Sequence, residues 1–598
     1  MEQAELLKRI DEFEREIALL PSGSIAVKRI NDKEYYYHRI NENGKRRETY
    51  VDFEKVEELR SQIEKRKVLA KELKELKHQL PKTPKIKTEL PTFSTYVRVG
   101  EQLDSMATTV AKYKKRACYD AIHDYVFGEQ QDKVFILYGL RRTGKTTLIR
   151  QIILNMKPEE RQKAAFIQIK SSDTLSDINA DLKTLEAKGY KYVFVDEVTL
   201  MEDFIEGAAL FSDIYAGSGM KLVLSGTDSL GFIFTKHEQL YDRCIMLHTT
   251  FIPYREFENV LGISGIDNYI RYGGTMSISG INYNESTFTT KQSTDEYIDS
   301  AIARNIQHSL KHYQDGGHFR NLYDLYEKGE LTSAINRVVE DINHRFTKEV
   351  LTRTFSSHDL SLSARNLLRD RDNPVDLYQT VDKEAVTATL KSMLDILDKE
   401  EQKVEIDETH AVQIKEYLTM LDLLMEVDLQ YLPHVNRHDR ITVITQPGLR
   451  YAQATALVNS MLLDEQFSAL SAVERSRILE RILSEIKGRM MEDIVLLETK
   501  LANPDKEVFQ LQFAVGEFDM VVADPKALTC EIFEIKYSKE IVPAQYRHLT
   551  DEEKCAQTEH RFGTIISKTV IYRGKTMESD NVKYINVEEY LNLLGLKK

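Results

Sequence analysis

The stretch from residue 134 to 153 leaves this chain little freedom. Val134-Phe-Ile-Leu-Tyr reads as a buried strand, Gly139-Leu-Arg-Arg-Thr-Gly-Lys-Thr-Thr as a turn, and Leu148-Ile-Arg-Gln-Ile-Ile as the apolar face of a helix. A strand that feeds a helix through such a loop builds a phosphate cradle. Gly139 and Gly144 let backbone amides turn inward, and the helix N-terminus adds its positive dipole end. Lys145 is placed to reach β and γ phosphates and Thr146 to offer its hydroxyl to Mg²⁺, with Arg142, Thr143 and Thr147 completing the binding run. ATP with Mg²⁺ is the ligand this pattern requires.

Hydrolysis also needs an acid at a neighbouring strand end, to hold the metal's water shell, and a base for the attacking water. Lys191-Tyr-Val-Phe-Val-Asp-Glu supplies both, with Asp196 on the metal side and Glu197 as general base. Downstream, Lys221-Leu-Val-Leu-Ser-Gly-Thr places Thr227, and after it Ser225, where a γ-phosphate sensor would sit, although a polar loop after a buried strand would read the same way. Arg243 is a further phosphate candidate that equally suits a surface arginine.

A length of 598 residues exceeds one core and implies three or four domains. With 42% hydrophobic and 30% charged residues the chain is globular in balance. The four cysteines, Cys118, Cys244, Cys530 and Cys555, form no C-x-x-C pair and read as free thiols of a reducing compartment. No apolar run approaches the roughly 18 residues a bilayer span needs, so the expected location is cytoplasmic, with no membrane partner. A formal charge of −13 leaves a local basic patch for nucleic acid open.

The expected fold is multidomain α/β. Residues 1–80 form a stalk, in which Glu2 to Leu19 and Phe53 to Leu80 carry heptad-like apolar spacing for an antiparallel coiled coil. Between them three short strands, with Asn43-Gly44 as a hairpin turn, make a β tip. The tip gathers Lys28, Arg29, Lys33, His38, Arg39, Lys45, Arg46 and Arg47 with Tyr35, Tyr36 and Tyr37, which suits either nucleic-acid contact or a small sheet packed on its stalk. Pro81, Pro84 and Pro91 mark a linker over 81–92. Strands alternating with helices over 93–261 predict a parallel-sheet P-loop core. Residues 262–487 read as a helical lid containing a winged-helix module, and 488–598 as a separate α/β domain.

In that last domain Glu517-Phe-Asp519 and Glu534-Ile-Lys536 read as neighbouring strands. Two-residue alternation puts Glu534 and Lys536 on one sheet face with Asp519 beside them. Gly488 to Glu498 reads as a helix carrying Glu492 toward the same place. Carboxylates around Mg²⁺ with a lysine nearby are what metal-dependent phosphodiester hydrolysis uses. Gln545 is expected in a following helix, able to orient nucleic acid.

The loop, the Val-Asp-Glu strand, Ser225-Gly-Thr, Phe251-Ile-Pro-Tyr-Arg-Glu-Phe and Tyr272-Gly-Gly together resemble a bacterial and archaeal AAA+/STAND-type ATPase family, with a departure at Thr275-Met276. Ile414-Lys-Glu-Tyr-Leu and Gln446-Pro-Gly-Leu-Arg-Tyr are similar to that family's winged-helix stretch. The C-terminal order of helix Glu, strand Asp and strand Glu-x-Lys resembles the PD-(D/E)XK restriction-endonuclease-like superfamily. This resemblance implies Asp519 and Glu534 as ligands of Mg²⁺ or Mn²⁺, Lys536 as the group assisting water, and Glu492 as completing the metal shell. It implies DNA as partner, with a homo-oligomer possible. The rival expectation is an ATP-dependent switch or scaffold whose C-terminal domain binds without cutting.

Overall fold

The computed structural model describes residues 13, 16, 17, 20–30, 33–42, 45–79, 93–275, 296, 298, 319–356, 406–432, 438–460, 471–541, 545–579 and 582–594. The chain divides into two units, Met1–Pro91 and Thr92–Lys598.

In the first unit, strands β1 (Ser24–Ile30), β2 (Lys33–Glu42) and β3 (Lys45–Val51) form an antiparallel sheet. Its register sets Ala26, Tyr37 and Tyr50 side by side on one face, with Lys28 over the Tyr37 ring. Helix α1 (Phe53–Gln79) buries Val56, Ile63 and Leu69 at near-heptad spacing. Glu16 pairs with Lys65 at 2.6 Å and Arg66 donates to the Ile17 carbonyl, so the chain near residue 17 lies along α1. The rest of the expected Glu2 to Leu19 helix lies outside the described residues. So do the side chains of Lys33, Tyr35, Lys45, Arg46 and Arg47, and the linker.

In the second unit a six-stranded sheet is built from β4 (Tyr96–Arg98), β5 (Val134–Tyr138), β6 (Ala164–Gln168), β7 (Tyr192–Asp196), β8 (Lys221–Gly226) and β9 (Cys244–His248). The order is β4-β6-β7-β8-β5-β9, parallel except for the edge strand β4. Its central strands are continuous apolar runs because helices cover both faces. Among these helices are α2 (Lys145–Asn155) and α3 (Leu175–Ala187), the latter opened by a Thr174/Asp177 capping box. The edge strand β4 and strand β9 were not expected from the sequence; β4 is only three residues long, and the apolar run Cys244-Ile-Met-Leu of β9 was passed over.

Helices α4 (Tyr254–Leu261) and α5 (Ile266–Tyr272) follow. Expected as the end of the P-loop core and the start of the lid, they share a core with the C-terminal sheet: Phe251, Tyr254, Phe257, Tyr269 and Ile270 pack with Met490, Ile494, Met520 and Leu591. Within the expected lid, α6 (Leu331–Ser356) belongs to the described part, while 299–318 and 357–405 lie outside it. The expected winged-helix stretch consists of α7 (Glu408–Met420), hairpin β10 (Leu424–Tyr431) and β11 (His438–Ile444), and α8 (Pro447–Ser460). Its hairpin does not stand free as a wing, because β10 pairs in parallel with β12 (Glu507–Gln512).

With β13 (Glu517–Asp524), β14 (Thr529–Lys536), β15 (Thr564–Tyr572), β16 (Met577–Ser579) and β17 (Val582–Asn586) this makes one eight-stranded sheet, β11-β10-β12-β13-β14-β15-β17-β16. Helix α9 (Ala472–Ala502) covers it and runs unbroken through Gly488, where sequence reasoning places a boundary. Its buried stripe, Ile482, Ile486, Met490, Ile494 and Leu497, repeats at helical spacing. Helices α10 (Glu552–Phe562) and α11 (Val587–Leu594) complete the lobe. No helix among the described residues is long and apolar enough to cross a membrane.

Candidate functional site

The loop after β5 is shaped by its glycines. Gly144 caps α2 at φ 95°, and a Cβ on Gly139 would stand 2.4 Å from the Thr249 carbonyl oxygen. Arg142 holds a positive φ of 65°, a local strain of about 1–3 kcal/mol for a non-glycine residue. The Lys145 ammonium donates to the carbonyls of Gly139 and Leu140, both at 2.8 Å. Burial pulls it below the usual lysine range, against the attraction of Glu197 and Asp196. Thr143 is buried, its hydroxyl donating to Leu140 O at 2.8 Å and meeting the Thr249 hydroxyl.

Because β8 lies between β5 and β7, the ends of three strands meet beneath this loop. Thr146 donates to Asp196 Oδ2 at 2.8 Å, and Ser225 donates to Asp196 Oδ1. A hydroxyl and a carboxylate converging in this way fit a hard cation such as Mg²⁺. Glu197, at φ 59°, points its carboxylate at Thr227, which donates to both oxygens at 3.1 Å. Burial, and then Asp196, push the Glu197 carboxyl upward, as a general base requires. The candidate sensor and the candidate base thus hold one another. Arg243 stands apart, paired with Asp213 at 2.9 Å.

Sequence reasoning missed Arg116. This buried arginine donates to the Thr143 carbonyl at 2.8 Å, to Thr250 O and Phe251 O, and pairs with Glu256 at 2.7 Å. It fastens the phosphate loop to the start of α4, and no local motif signals it because its partners lie 27 to 140 residues away. His248 was missed too. It stacks on Tyr138 at 4.5 Å and faces Asp422 at 3.1 Å. Burial pulls His248 down to about 4 and raises Asp422 to about 6, so the histidine is uncharged at neutral pH.

The second cluster lies at the C-terminal sheet. Asp519 from β13 and Glu534 and Lys536 from β14 converge: the Lys536 ammonium is 2.8 Å from Asp519 Oδ2 and 2.6 Å from Glu534 Oε2. Asp519 also accepts from the Ile535 amide at 2.6 Å. Glu534 Oε1 is buried with no hydrogen-bond partner, an acceptor that fits a cation. Burial opposes ionisation of Asp519, but Lys536 and the Ile535 amide hold its carboxyl below the usual range. Burial and then Asp519 push Glu534 well above it. Glu492, on α9, is bound by Arg489 at 2.6 Å and is raised to about 7 by burial and then by Asp519. Among the described residues no group of three or more His, Cys, Asp or Glu side chains stands ready to hold a metal ion. Lys536 lies between two of the carboxylates and Arg489 binds the third. Gln545 precedes α10 rather than lying in it, and donates to Ser538 Oγ and Glu540 O in the loop after Lys536.

Comparison with known proteins covers the stretch that holds the first site. Residues 131–258 match the family described as AAA domain. This part of the chain is a P-loop domain of the AAA ATPase type. Residues 3–61 match a domain of unknown function (DUF6788). The ATP-dependent zinc metalloprotease FtsH of Cyanidium caldarium is 28% identical over 212 residues, covering 35% of this chain and 32% of that protein. An uncharacterized protein of Methanocaldococcus jannaschii is 24% identical over 247 residues, 37% of this chain and 53% of its own length. The chain thus spans about a third and about half of these two relatives. The solved structure of the Aeropyrum pernix ORC1 protein in complex with DNA aligns over 62% of this chain and 99% of its own, at 12% identity and a TM-score of 0.19.

Proposed function

We propose that the protein binds and hydrolyses ATP at the Gly139 to Thr147 loop, and that its nucleotide state controls a metal-dependent nuclease-like domain acting on DNA. Thr146, Asp196 and the loop amides would hold Mg²⁺ and the phosphates. Lys145 would leave the Gly139 and Leu140 carbonyls for the phosphate oxygens, and Glu197 would take a proton from the attacking water. The observation that carries the second half is the convergence of Asp519, Glu534 and Lys536, with Glu534 Oε1 buried and unpaired.

Asp519 and Glu534 would hold the divalent ion, with Glu492 joining them on release from Arg489. When bound, such an ion supplies charge stabilisation at a scissile phosphate and a more acidic water. Lys536, displaced from between the carboxylates, would face that water or the developing charge. Helix α9, strands β12, β13 and β14, helix α10 and strand β15 follow one another as a helix, three antiparallel strands, a helix and a parallel strand, which supports a restriction-endonuclease-like reading. The deciding experiment incubates the pure protein with single- and double-stranded DNA, with Mg²⁺ or Mn²⁺, with and without ATP. Cleavage abolished by Asp519→Ala supports the reading; cleavage absent from wild type under every condition defeats it.

One observation favours a non-cleaving switch or scaffold. Lys536 and Arg489 already neutralise the carboxylates, and a fold of this kind also serves as a binding module. DNA binding without cleavage in the same assay selects that reading.

A further inference from the structure

The two candidate sites are joined by buried polar contacts that no sequence motif records. At the phosphate loop the Thr143 carbonyl accepts from Arg116, whose Nε pairs with Glu256 at 2.7 Å. Glu256 belongs to the first turn of α4. The N-terminus of that helix has no side-chain cap of its own, Pro253 standing at the N-cap position. Its first backbone donor, Tyr254 N, is instead satisfied by Glu498 Oε1 at 2.6 Å, across 244 residues of sequence. Glu498 sits on α9, six residues after Glu492, or about 9 Å along the same rigid helix. A second such contact runs beside it: the Ile266 amide at the start of α5 donates to Glu588 Oε1 of α11 at 2.9 Å. In α5, Asp267 accepts from Tyr537, the residue after Lys536, and pairs with Arg573.

We infer that the N-terminal turn of α4 is a coupling element, held both to the phosphate loop through Arg116–Glu256 and to the carboxylate helix α9 through the Tyr254 amide and Glu498. Glu498 and Arg116 are its positioning residues. This rests on the nuclease reading for what is regulated, but not for the coupling itself. Phosphates that draw Lys145 off the Gly139 and Leu140 carbonyls rearrange the loop whose Thr143 carbonyl Arg116 holds. The displacement passes to α4 as a unit, because Arg116 also grips Thr250 O and Phe251 O just before it. Glu498 then transmits it to α9, shifting Glu492 relative to Asp519. Three buried or half-buried hydrogen-bonded contacts in series make a stiff linkage, since breaking any one strands a buried polar group. By reciprocity, occupancy of the carboxylate cluster by a divalent ion must alter nucleotide affinity by the same factor.

The test is hydrogen exchange across α9, between residues 489 and 497, in the full chain with and without a non-hydrolysable ATP analogue and Mg²⁺. In wild type, nucleotide is expected to change exchange by about 5-fold or more, the lower end of ordinary coupling. Glu498→Gln, which keeps an acceptor for the Tyr254 amide, should retain that response. Glu498→Leu should bind nucleotide normally yet lose it. Where Glu498→Leu does not fold, Arg116→Lys carries the same test, since it keeps a charge opposite Glu256 but gives up the forked reach to Thr143. Nucleotide that binds without changing α9 exchange in wild type overturns the inference, as does a folded Leu variant with an unaltered response. Nucleotide-dependent exchange in a protein that never cuts DNA leaves the coupling standing and removes the nuclease. Cleavage alongside nucleotide-independent exchange does the opposite.

Discussion

Each candidate site contains a lysine among acids, and the two lysines are perturbed in opposite directions. Lys145 is buried against carbonyl oxygens, with Asp196 and Glu197 farther off and Arg141 and Arg116 adding like charge; burial dominates and its ammonium is under-compensated. Lys536 is likewise opposed by burial, yet Asp519 and Glu534 in direct contact hold it well above the ordinary lysine range. A cation short of negative partners gains from an arriving polyanion, which is what a phosphate cradle needs. A cation saturated by two carboxylates gains nothing from an anion and must give way before a metal enters. On the proposed reading, the same residue type would serve an anion site in one region and a cation site in the other, with the surrounding charge deciding which.

The largest effects follow from removing each lysine. Lys145→Ala should lower ATP hydrolysis by about 10³-fold and weaken nucleotide binding, measured by phosphate release and fluorescent-nucleotide titration. Lys536→Ala should lower cleavage by about 10²–10³-fold while leaving divalent-ion affinity equal or tighter, because the ion's competitor has gone. Asp519→Ala should lose cleavage and metal together. If Lys536→Ala weakens metal binding as Asp519→Ala does, the contrast between the two lysines fails.

Next comes Glu197→Gln, expected to bind ATP with wild-type affinity and to slow turnover by about 10²-fold or more, as loss of a general base does. Equal turnover would remove Glu197 from the chemistry.

A smaller effect tests burial without a reacting partner. Glu498 is raised to about 7 from its ordinary 4.5, first by burial, with the Tyr254 amide and Arg255 pulling down and Glu256 pushing up. Its folded value lies above its unfolded one, so its contribution to stability is complete below about 4.5 and is lost as pH climbs through about 7. Glu498→Gln has no such loss. Its melting temperature relative to wild type should therefore rise between pH 5 and pH 8, and a constant difference across that range would show that Glu498 does not titrate there.

The smallest effect is expected in the first unit. Charge reversal at Arg46 and Arg47 should flatten the salt dependence of nucleic-acid binding by about one unit of slope for each phosphate that the tip no longer neutralises. An unchanged slope would make the β tip structural.

Much of the geometry of the phosphate loop was legible because it is written in consecutive residues. Glycines at fixed offsets, a lysine and a threonine at a helix start, and an acid at a strand end each act through local backbone geometry. The strands β1, β3, β5, β7 and β13 were readable for a similar reason, alternation or an apolar run bounded by turn residues. The carboxylate cluster was half legible: two-residue alternation set Glu534 and Lys536 on one face, but that Lys536 bridges Asp519 and Glu534, and that Arg489 holds Glu492, depends on contacts between separate elements.

What the chain determined by itself, then, is the chemistry available at each site: a cradle for phosphates, acids beside it, and a strand pair carrying carboxylates and a lysine. Only the tertiary structure decided how these are fastened to one another. The hairpin of residues 424–444 joins the C-terminal sheet instead of standing as a wing, α4 and α5 share that lobe's core, and their amides are satisfied by Glu498 and Glu588. The physical reason is that a buried backbone donor must find an acceptor, yet it is indifferent to where along the sequence that acceptor lies. With partners 244 and 322 residues away, no local pattern can announce the pairing.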